Sequence, residues 1–317
     1  MTYAPELQQF VDRFESALPP DFYLTADLAE QRRMYDALAE AFPYEVPSSM
    51  KITDHHAAWQ GVDLRCRVYE PNVRLGDGCV LYLRGGGFVI GSLDGYDWLV
   101  SDLAEQSGLL TVAMDFRLAP EHPFPTPLED CYAGLLALLA GAFELSASFD
   151  AAQLVVAGDS SGANMAVAMS MMARDRQGPA IAGMALLSPV LDFSRWQQGG
   201  EDSPLLSGGE MAYFTASYCP QPGQVNDPLV SPLVSGNFAG LPPAYIVGAE
   251  LDSLRTDGLE LARRLEMAGI DVEHALIPGL WHSPIRARAY SPEVAQAWSR
   301  FCLAARRLAA PSDVAHD

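Results

Sequence analysis

Two glycine-flanked segments of this chain have the residue types and spacing for acyl-transfer chemistry. In the first, Gly158-Asp159-Ser160-Ser161-Gly162 fits G-x-S-x-G. It follows the apolar run 154–157 and opens a helix-forming stretch over 163–174. A serine on a sharp strand-to-helix turn is lifted clear of a sheet, and glycines at 158 and 162 avoid collision with neighbouring backbone. The helix that follows points its positive end at the hydroxyl, which favours developing negative charge. In the second segment, Arg84-Gly85-Gly86-Gly87-Phe88 comes directly after the apolar run 79–83. Glycines there let backbone N–H groups approach an oxyanion without side-chain interference. A dinucleotide-binding loop also follows a strand, but its spacing needs a glycine at 90, where Ile90 stands.

A serine nucleophile needs a base, and the base needs an acid to hold its tautomer. On a strand–G-x-S-x-G–helix scaffold these follow in chain order serine, acid, histidine. Downstream of Ser160 the histidines are His274, His282 and His316. His316 lies in the tail, and His274 falls within the strand expected over 272–277. His282 lies in the loop after that strand, where the base belongs. For the acid, 245–252 reads as a strand followed by a loop with two carboxylates, Glu250 and Asp252. Asp252 is preferred because it lies further past the strand end; Asp257, inside the next helix, is a third candidate. Spacing alone leaves the acid open among them.

Those loops must hang from a scaffold, and the hydrophobic pattern supplies one. The runs 79–83, 110–114, 154–157, 184–187, 245–247 and 272–277 suit strands buried on both faces of a mostly parallel sheet. Residues 62–69 alternate in period two, as a half-exposed strand does. Helical stretches over 94–106, 128–143, 163–174 and 254–268 separate several of the runs. This alternation predicts an α/β fold with a doubly wound sheet flanked by helices. Residues 1–45 read as two amphipathic helices, the first carrying Phe10, Val11 and Phe14 before the Pro19-Pro20 break. The Gly-, Pro- and Ser-rich stretch over 192–242, with a helical piece at 211–218, reads as a cap inserted between two strands. The tail over 311–317 is expected to fray.

Composition excludes several classes. The chain has 317 residues and a formal net charge of −20, which disfavours nucleic acid and anionic membrane faces as partners. Lys51 is its one lysine, which weakens a reading built on a Schiff-base lysine, and no phosphate-loop G-K-[ST] occurs. No H-E-x-x-H occurs, and His55 and His56 are adjacent, so on a strand they face opposite sides; no metal is expected. The five cysteines are scattered and never form C-x-x-C, which suits a reduced, cytoplasmic setting. No run is long enough for stable membrane insertion, and the beginning of the chain lacks a signal-peptide pattern.

With these residues assembled, the chain resembles the hormone-sensitive-lipase-like esterases of the α/β-hydrolase fold over roughly residues 50–305. The resemblance is carried by Gly85-Gly86-Gly87-Phe88, by Asp115-Phe116-Arg117-Leu118-Ala119-Pro120-Glu121-His122-Pro123-Phe124-Pro125, by the Ser160 motif, by Asp252-Ser253-Leu254-Arg255 and by the His282 loop. It implies a triad of Ser160, Asp252 and His282. It also implies oxyanion donors from the backbone of Gly86, Gly87 and Ser161, with Gly85 shaping the loop and Arg84 supporting it. The N-terminal helices would form part of a cap over the acyl pocket, and the substrate would be a small acyl ester of short to medium chain, cleaved without a cofactor. Glu121 and His122 are expected to be scaffold.

Two positions depart from the family pattern. Arg84 stands where the oxyanion motif usually begins with histidine, and arginine only donates hydrogen bonds. Either a buried carboxylate holds it and fixes the loop, or it reaches the pocket and favours substrates carrying a carboxylate. Ser253 replaces a common proline after the acid. An amidase or formamidase with the same triad remains an alternative, as does a non-catalytic binding protein on the same fold. The sequence leaves substrate identity open and is compatible with a homodimer.

Overall fold

Strand β3 (Cys79–Leu83) turns Cys79, Leu81 and Leu83 into one apolar core and Val80 and Tyr82 into another. Strand β5 (Leu154–Asp159) divides Leu154 and Val156 from Val155 and Ala157 in the same way. Successive side chains of a strand point to opposite faces, so an unbroken apolar run has a core on each side. The two cores belong to two helical layers. One is covered by α5 (Thr126–Leu139), α6 (Ser161–Asp175) and α8 (Arg255–Met267). The other is covered by α4 (Leu93–Ser107), α9 (Pro292–Leu308) and the N-terminal helices α1 (Pro5–Ala17) and α3 (Leu28–Ala41), with the short α2 (Phe22–Thr25) between them. This computed structural model describes residues 4–42 and 44–310. The tail over 311–317, with His316, and Pro43 lie outside them.

The remaining strands are β1 (Lys51–Trp59), β2 (Val62–Glu70), β4 (Leu110–Asp115), β6 (Gly183–Leu187), β7 (Ala244–Ala249) and β8 (Val272–Ile277). They form one eight-stranded sheet in the order β1-β2-β4-β3-β5-β6-β7-β8. The β1–β2 and β2–β4 pairs are antiparallel and the rest parallel. From β3 the chain moves outward to β4, then returns to place β5 on the other side of β3. Loops leaving β3 and β5 therefore diverge to opposite faces and open a crevice at the strands' carboxyl ends. Both glycine motifs lie at this crevice, with Leu83 directly opposite Gly158.

Two strand expectations are corrected. Strand β8 is not buried on both faces; it closes the parallel edge of the sheet, and Leu276 is exposed. Strand β2 does alternate, but its polar face is only partly solvated: Asp63 is exposed, whereas Arg67 and Tyr69 are covered. There Arg67 bonds Asp54 at 2.6 Å, Asp94 at 2.7 Å and Asp97 at 2.9 Å, the last two from α4. Charge satisfied by opposite charge lets a polar strand face carry a helix.

A buried carboxylate joins further elements distant in sequence. Asp102 of α4 accepts from the Tyr44 hydroxyl at 2.9 Å and Trp298 Nε1 of α9 at 2.8 Å, and pairs with Arg288 at 3.1 Å. Removing one member leaves the others desolvated and unpaired. Asp102→Ala is expected to lower unfolding stability by about 3–5 kcal/mol, read as a reduced midpoint in urea. A shift below 1 kcal/mol would show the cluster to be energetically idle.

Candidate active site

Strand β5 ends at Asp159 and α6 begins at Ser161, which leaves Ser160 to make the whole turn. Its φ of 52° and ψ of −117° lie where a non-glycine residue is strained. Packing enforces the strain. A Cβ on Gly162 would sit 2.0 Å from the Leu83 carbonyl oxygen, and one on Gly158 would sit 2.6 Å from that oxygen and from Gly162 itself. The Ser160 N–H donates to Leu187 O of the neighbouring strand at 2.9 Å.

The three residues named from chain order meet. His282 Nε2 lies 2.9 Å from Ser160 Oγ, and His282 Nδ1 lies 2.8 Å from Asp252 Oδ2. The other oxygen of Asp252 accepts the Leu254 N–H at 2.8 Å, so this fully buried carboxylate is fixed at both ends. Glu250 instead accepts the Gly279 N–H at 2.7 Å, tying the acid loop to the histidine loop. Asp257 is buried elsewhere, accepting Leu191 N–H at 2.6 Å and pairing with Arg195; burial pushes its carboxyl up to about 7. His274 lies on β8, and Ser253 Oγ meets Ser203 Oγ at 3.2 Å across to the 192–242 segment.

Burial alone would pull the His282 imidazole down. Asp252 overrides it, with Asp159 and Glu210 adding, and the imidazole ends above its ordinary value of 6.5.

Beyond Leu83 the backbone of Gly86 (φ 108°) folds under Ile90, where a Cβ would meet Ile90 O at 2.3 Å. Among the described residues no protein acceptor takes the N–H of Gly86, Gly87 or Ser161, and all three residues line the pocket that holds Ser160. The anchor of this loop is Asp159, which sequence reasoning passed over as the variable residue of G-x-S-x-G. Its Oδ1 accepts Gly85 N–H at 2.9 Å and Tyr82 OH at 2.7 Å, and its Oδ2 accepts Tyr96 OH at 3.0 Å.

Arg84 turns away from the pocket. It is 3% exposed, lies over the Phe116 ring at 4.0 Å and approaches Asp115 Oδ1 at 3.4 Å. A carboxylate does hold it, but that carboxylate is half-buried rather than buried. Glu121 is a scaffold residue with a specific partner. It binds Arg32 of α3 through two bonds of 2.8 and 2.7 Å, and Arg32 also donates to Val89 O and Ala119 O. Neither Arg32 nor its partnership is signalled by sequence spacing. His55 and His56 diverge as adjacent strand residues should: His55 Nδ1 meets Phe143 O at 3.0 Å, while His56 is exposed.

A cavity of about 110 Å³ opens above Ser160. The N-terminal helices contribute Phe10, Phe14 and Tyr35 to its wall, and the 192–242 segment contributes Phe193, Leu206, Met211 and Phe214 from around α7 (Gly208–Tyr218). Phe10 also stacks on Trp281, next to His282, with centroids 5.6 Å apart. Glu210 joins the wall from the first turn of α7, where Ser207 caps the helix by accepting the Glu210 N–H at 3.1 Å. Burial raises its carboxyl to about 7 despite the opposing pull of His282. Glu210 was not read from sequence, although Ser207 and Glu210 have capping-box spacing.

Comparison with known proteins agrees with this geometry. A family profile described as alpha/beta hydrolase fold matches residues 80–285. The chain is 33% identical to carboxylesterase NlhH of Mycobacterium tuberculosis over 313 residues, covering 96% of this chain and 95% of that one. It is 31% identical to ethyl acetate hydrolase of Pseudomonas putida over 299 residues, covering 90% and 93%. An esterase structure from the archaeon Pyrobaculum calidifontis superposes with a TM-score of 0.85 at 28% identity, over 98% of this chain and 99% of that one. The chain thus belongs to the hormone-sensitive-lipase-like family of the α/β-hydrolase fold, and it is a serine ester hydrolase.

Proposed function

We propose that Ser160, His282 and Asp252 hydrolyse short- to medium-chain carboxylic esters through an acyl-enzyme. The observation that carries this reading is the unbroken hydrogen-bond line Ser160 Oγ–His282–Asp252, with links of 2.9 and 2.8 Å. Ser160 Oγ attacks the acyl carbonyl as His282 Nε2 takes its proton. The N–H groups of Gly86, Gly87 and Ser161 receive the oxyanion, helped by the positive end of α6. His282 then returns the proton to the leaving alkoxide, and the alcohol departs. Water, deprotonated by His282, attacks the acyl-enzyme and releases the carboxylic acid. Asp252 is the positioning residue that keeps the Nδ1 proton in place and stabilises the imidazolium.

The walls around the serine favour compact acyl groups, since Phe88, Phe193, Met211 and Phe214 line a cavity of only about 110 Å³. That one relative is an ethyl acetate hydrolase supports the same preference. Residues 1–45 and 192–242 act as the cap. All five cysteines are unpaired and buried, in keeping with a reducing cytoplasmic setting; among the described residues no helix is long and apolar enough to cross a membrane.

A p-nitrophenyl ester series from acetyl to palmitoyl tests the reading. Turnover should fall for acyl chains beyond about ten carbons, because an enclosed pocket limits what its walls admit. A matching anilide should be cleaved far more slowly than the ester. A maximum on palmitoyl ester would overturn the size assignment, and comparable anilide turnover would make the enzyme an amidase.

A further inference from the structure

Among the arginines around this pocket, one is left without an opposite charge. Arg32 is paired with Glu121, Arg84 with Asp115 and Arg288 with Asp102. Arg286, two residues from Arg288 on the same short helical segment (Pro284–Ala289), meets no carboxylate within 4.0 Å among the described residues. Its Nη1 is buried and lacks a hydrogen-bond partner, and the residue lines the cavity that contains Ser160 and His282. Building an unneutralised guanidinium into a pocket wall costs desolvation, which a bound anion would offset.

The side chain is held in a way that leaves its Nη1 donors unengaged. Its guanidinium carbon lies 4.5 Å from the Trp98 ring centre and 5.8 Å from that of Tyr35. Contact with these rings fixes the plane of the guanidinium; one donor faces the Tyr35 hydroxyl, and Nη1 stays unengaged. A planar fork so placed matches a carboxylate in two parallel hydrogen bonds. The pocket's own carboxylates are engaged elsewhere: Asp159 accepts from Gly85, Tyr82 and Tyr96, and Glu210 sits at the start of α7 under the influence of His282.

A polar line leads from this arginine to the reacting centre. Tyr35 OH lies 3.1 Å from Tyr96 OH, which donates to Asp159, the residue before Ser160. An anion bound by Arg286 would be a group other than the scissile ester, because an ester carries no formal charge. The chain's net charge of −20 does not veto this, because surface charges are largely screened beyond about 8 Å at physiological salt while a pocket charge is not.

We propose that Arg286 is a specificity-determining residue, and that the substrates of this hydrolase are esters bearing a free carboxylate. The inference rests on the triad reading above, and it transfers to Arg286 the role that the sequence offered to Arg84. The carboxylate sits on either the acyl or the alcohol half of the ester.

The test compares two charged esters with neutral isosteres. Monoethyl succinate against ethyl 4-methylpentanoate probes the acyl half; 2-acetoxypropanoate against 3-methyl-2-butyl acetate probes the alcohol half. The wild-type enzyme should cleave one charged ester at least as efficiently as its isostere. Arg286→Met should lower kcat/KM for that ester roughly ten- to hundredfold more than for the isostere, mainly through KM, because a charge-assisted pair is lost. Arg286→Lys should restore part of the difference, and Arg84→His should leave the charged-to-neutral ratio where it was. Wild-type protein that cleaves neutral esters but discriminates against both charged ones overturns the proposal, without any variant having to fold. So does an equal loss on charged and neutral esters in Arg286→Met. If the wild type cleaves neither member of either pair, the triad reading itself fails, and this one with it.

Discussion

Ser160→Ala is expected to lower kcat for a p-nitrophenyl ester by about 10⁵- to 10⁶-fold while leaving the fold intact. The size follows from what the hydroxyl does. On the proposed mechanism it is both the nucleophile and the group whose proton His282 removes, so its loss ends covalent catalysis and leaves His282 without a reaction partner. The remnant comes from the oxyanion donors and the pocket, which alone still accelerate hydrolysis over water. Folding survives because, among the described residues, Ser160 Oγ hydrogen-bonds to His282 alone. The unusual turn is imposed by the contacts of Gly158 and Gly162 with Leu83 and by the Ser160 N–H bond to Leu187, none of which alanine disturbs. Intact-protein mass spectrometry supplies the second readout. A fluorophosphonate should add covalently to the wild type, and Ser160→Ala should remain unmodified. Residual turnover of a few per cent, or labelling that persists in the variant, would place the nucleophile elsewhere.

That residue was readable because its neighbours obey local rules. An apolar run, a glycine on each side of the serine and a helix afterwards describe one turn, and a turn is a property of adjacent residues. The run at 79–83 was legible for a related reason: burial on both faces removes polar residues altogether. His282 and Asp252 were reachable through chain order, although only the fold could separate Asp252 from Asp257, whose carboxylate faces Leu191 and Arg195 instead.

What failed to show in the sequence is interaction between elements far apart along the chain. Asp159 reads as filler within a motif, yet it anchors the oxyanion loop by accepting from Gly85, 74 residues upstream. Arg67 reads as the solvent face of an amphipathic strand until α4 lays Asp94 and Asp97 over it. Strand β8 has an apolar pattern but an exposed edge, because nothing in its own composition states that it comes last in the sheet. Glu210 and Arg286 were missed for the same cause. Their significance lies in the cavity they face, whose wall combines side chains from the N-terminal helices and from the 192–242 segment with those of the sheet's loops.

Asp252→Asn should lower kcat/KM by about 10⁴-fold with little change in structure, and its pH profile should separate positioning from bulk. In the wild type, the neutral imidazole is the active form, so activity falls as pH drops through the His282 value. Burial pulls that value down, but the Asp252 carboxylate, 2.8 Å from Nδ1, outweighs it and holds the value above 6.5. The acid limb of kcat/KM should accordingly lie above pH 6.5. Asparagine removes the negative charge while keeping the shape. Burial then dominates, moderated only by Asp159 and Glu210, and the residual activity's acid limb should move to lower pH. Asparagine can also hold the imidazole in the wrong tautomer, with its proton on Nε2, where it cannot accept from Ser160. A variant that merely loosened the loop would lose rate without moving the limb. A profile that stays in place would therefore remove Asp252 from the role of orienting acid, even if the rate falls as expected.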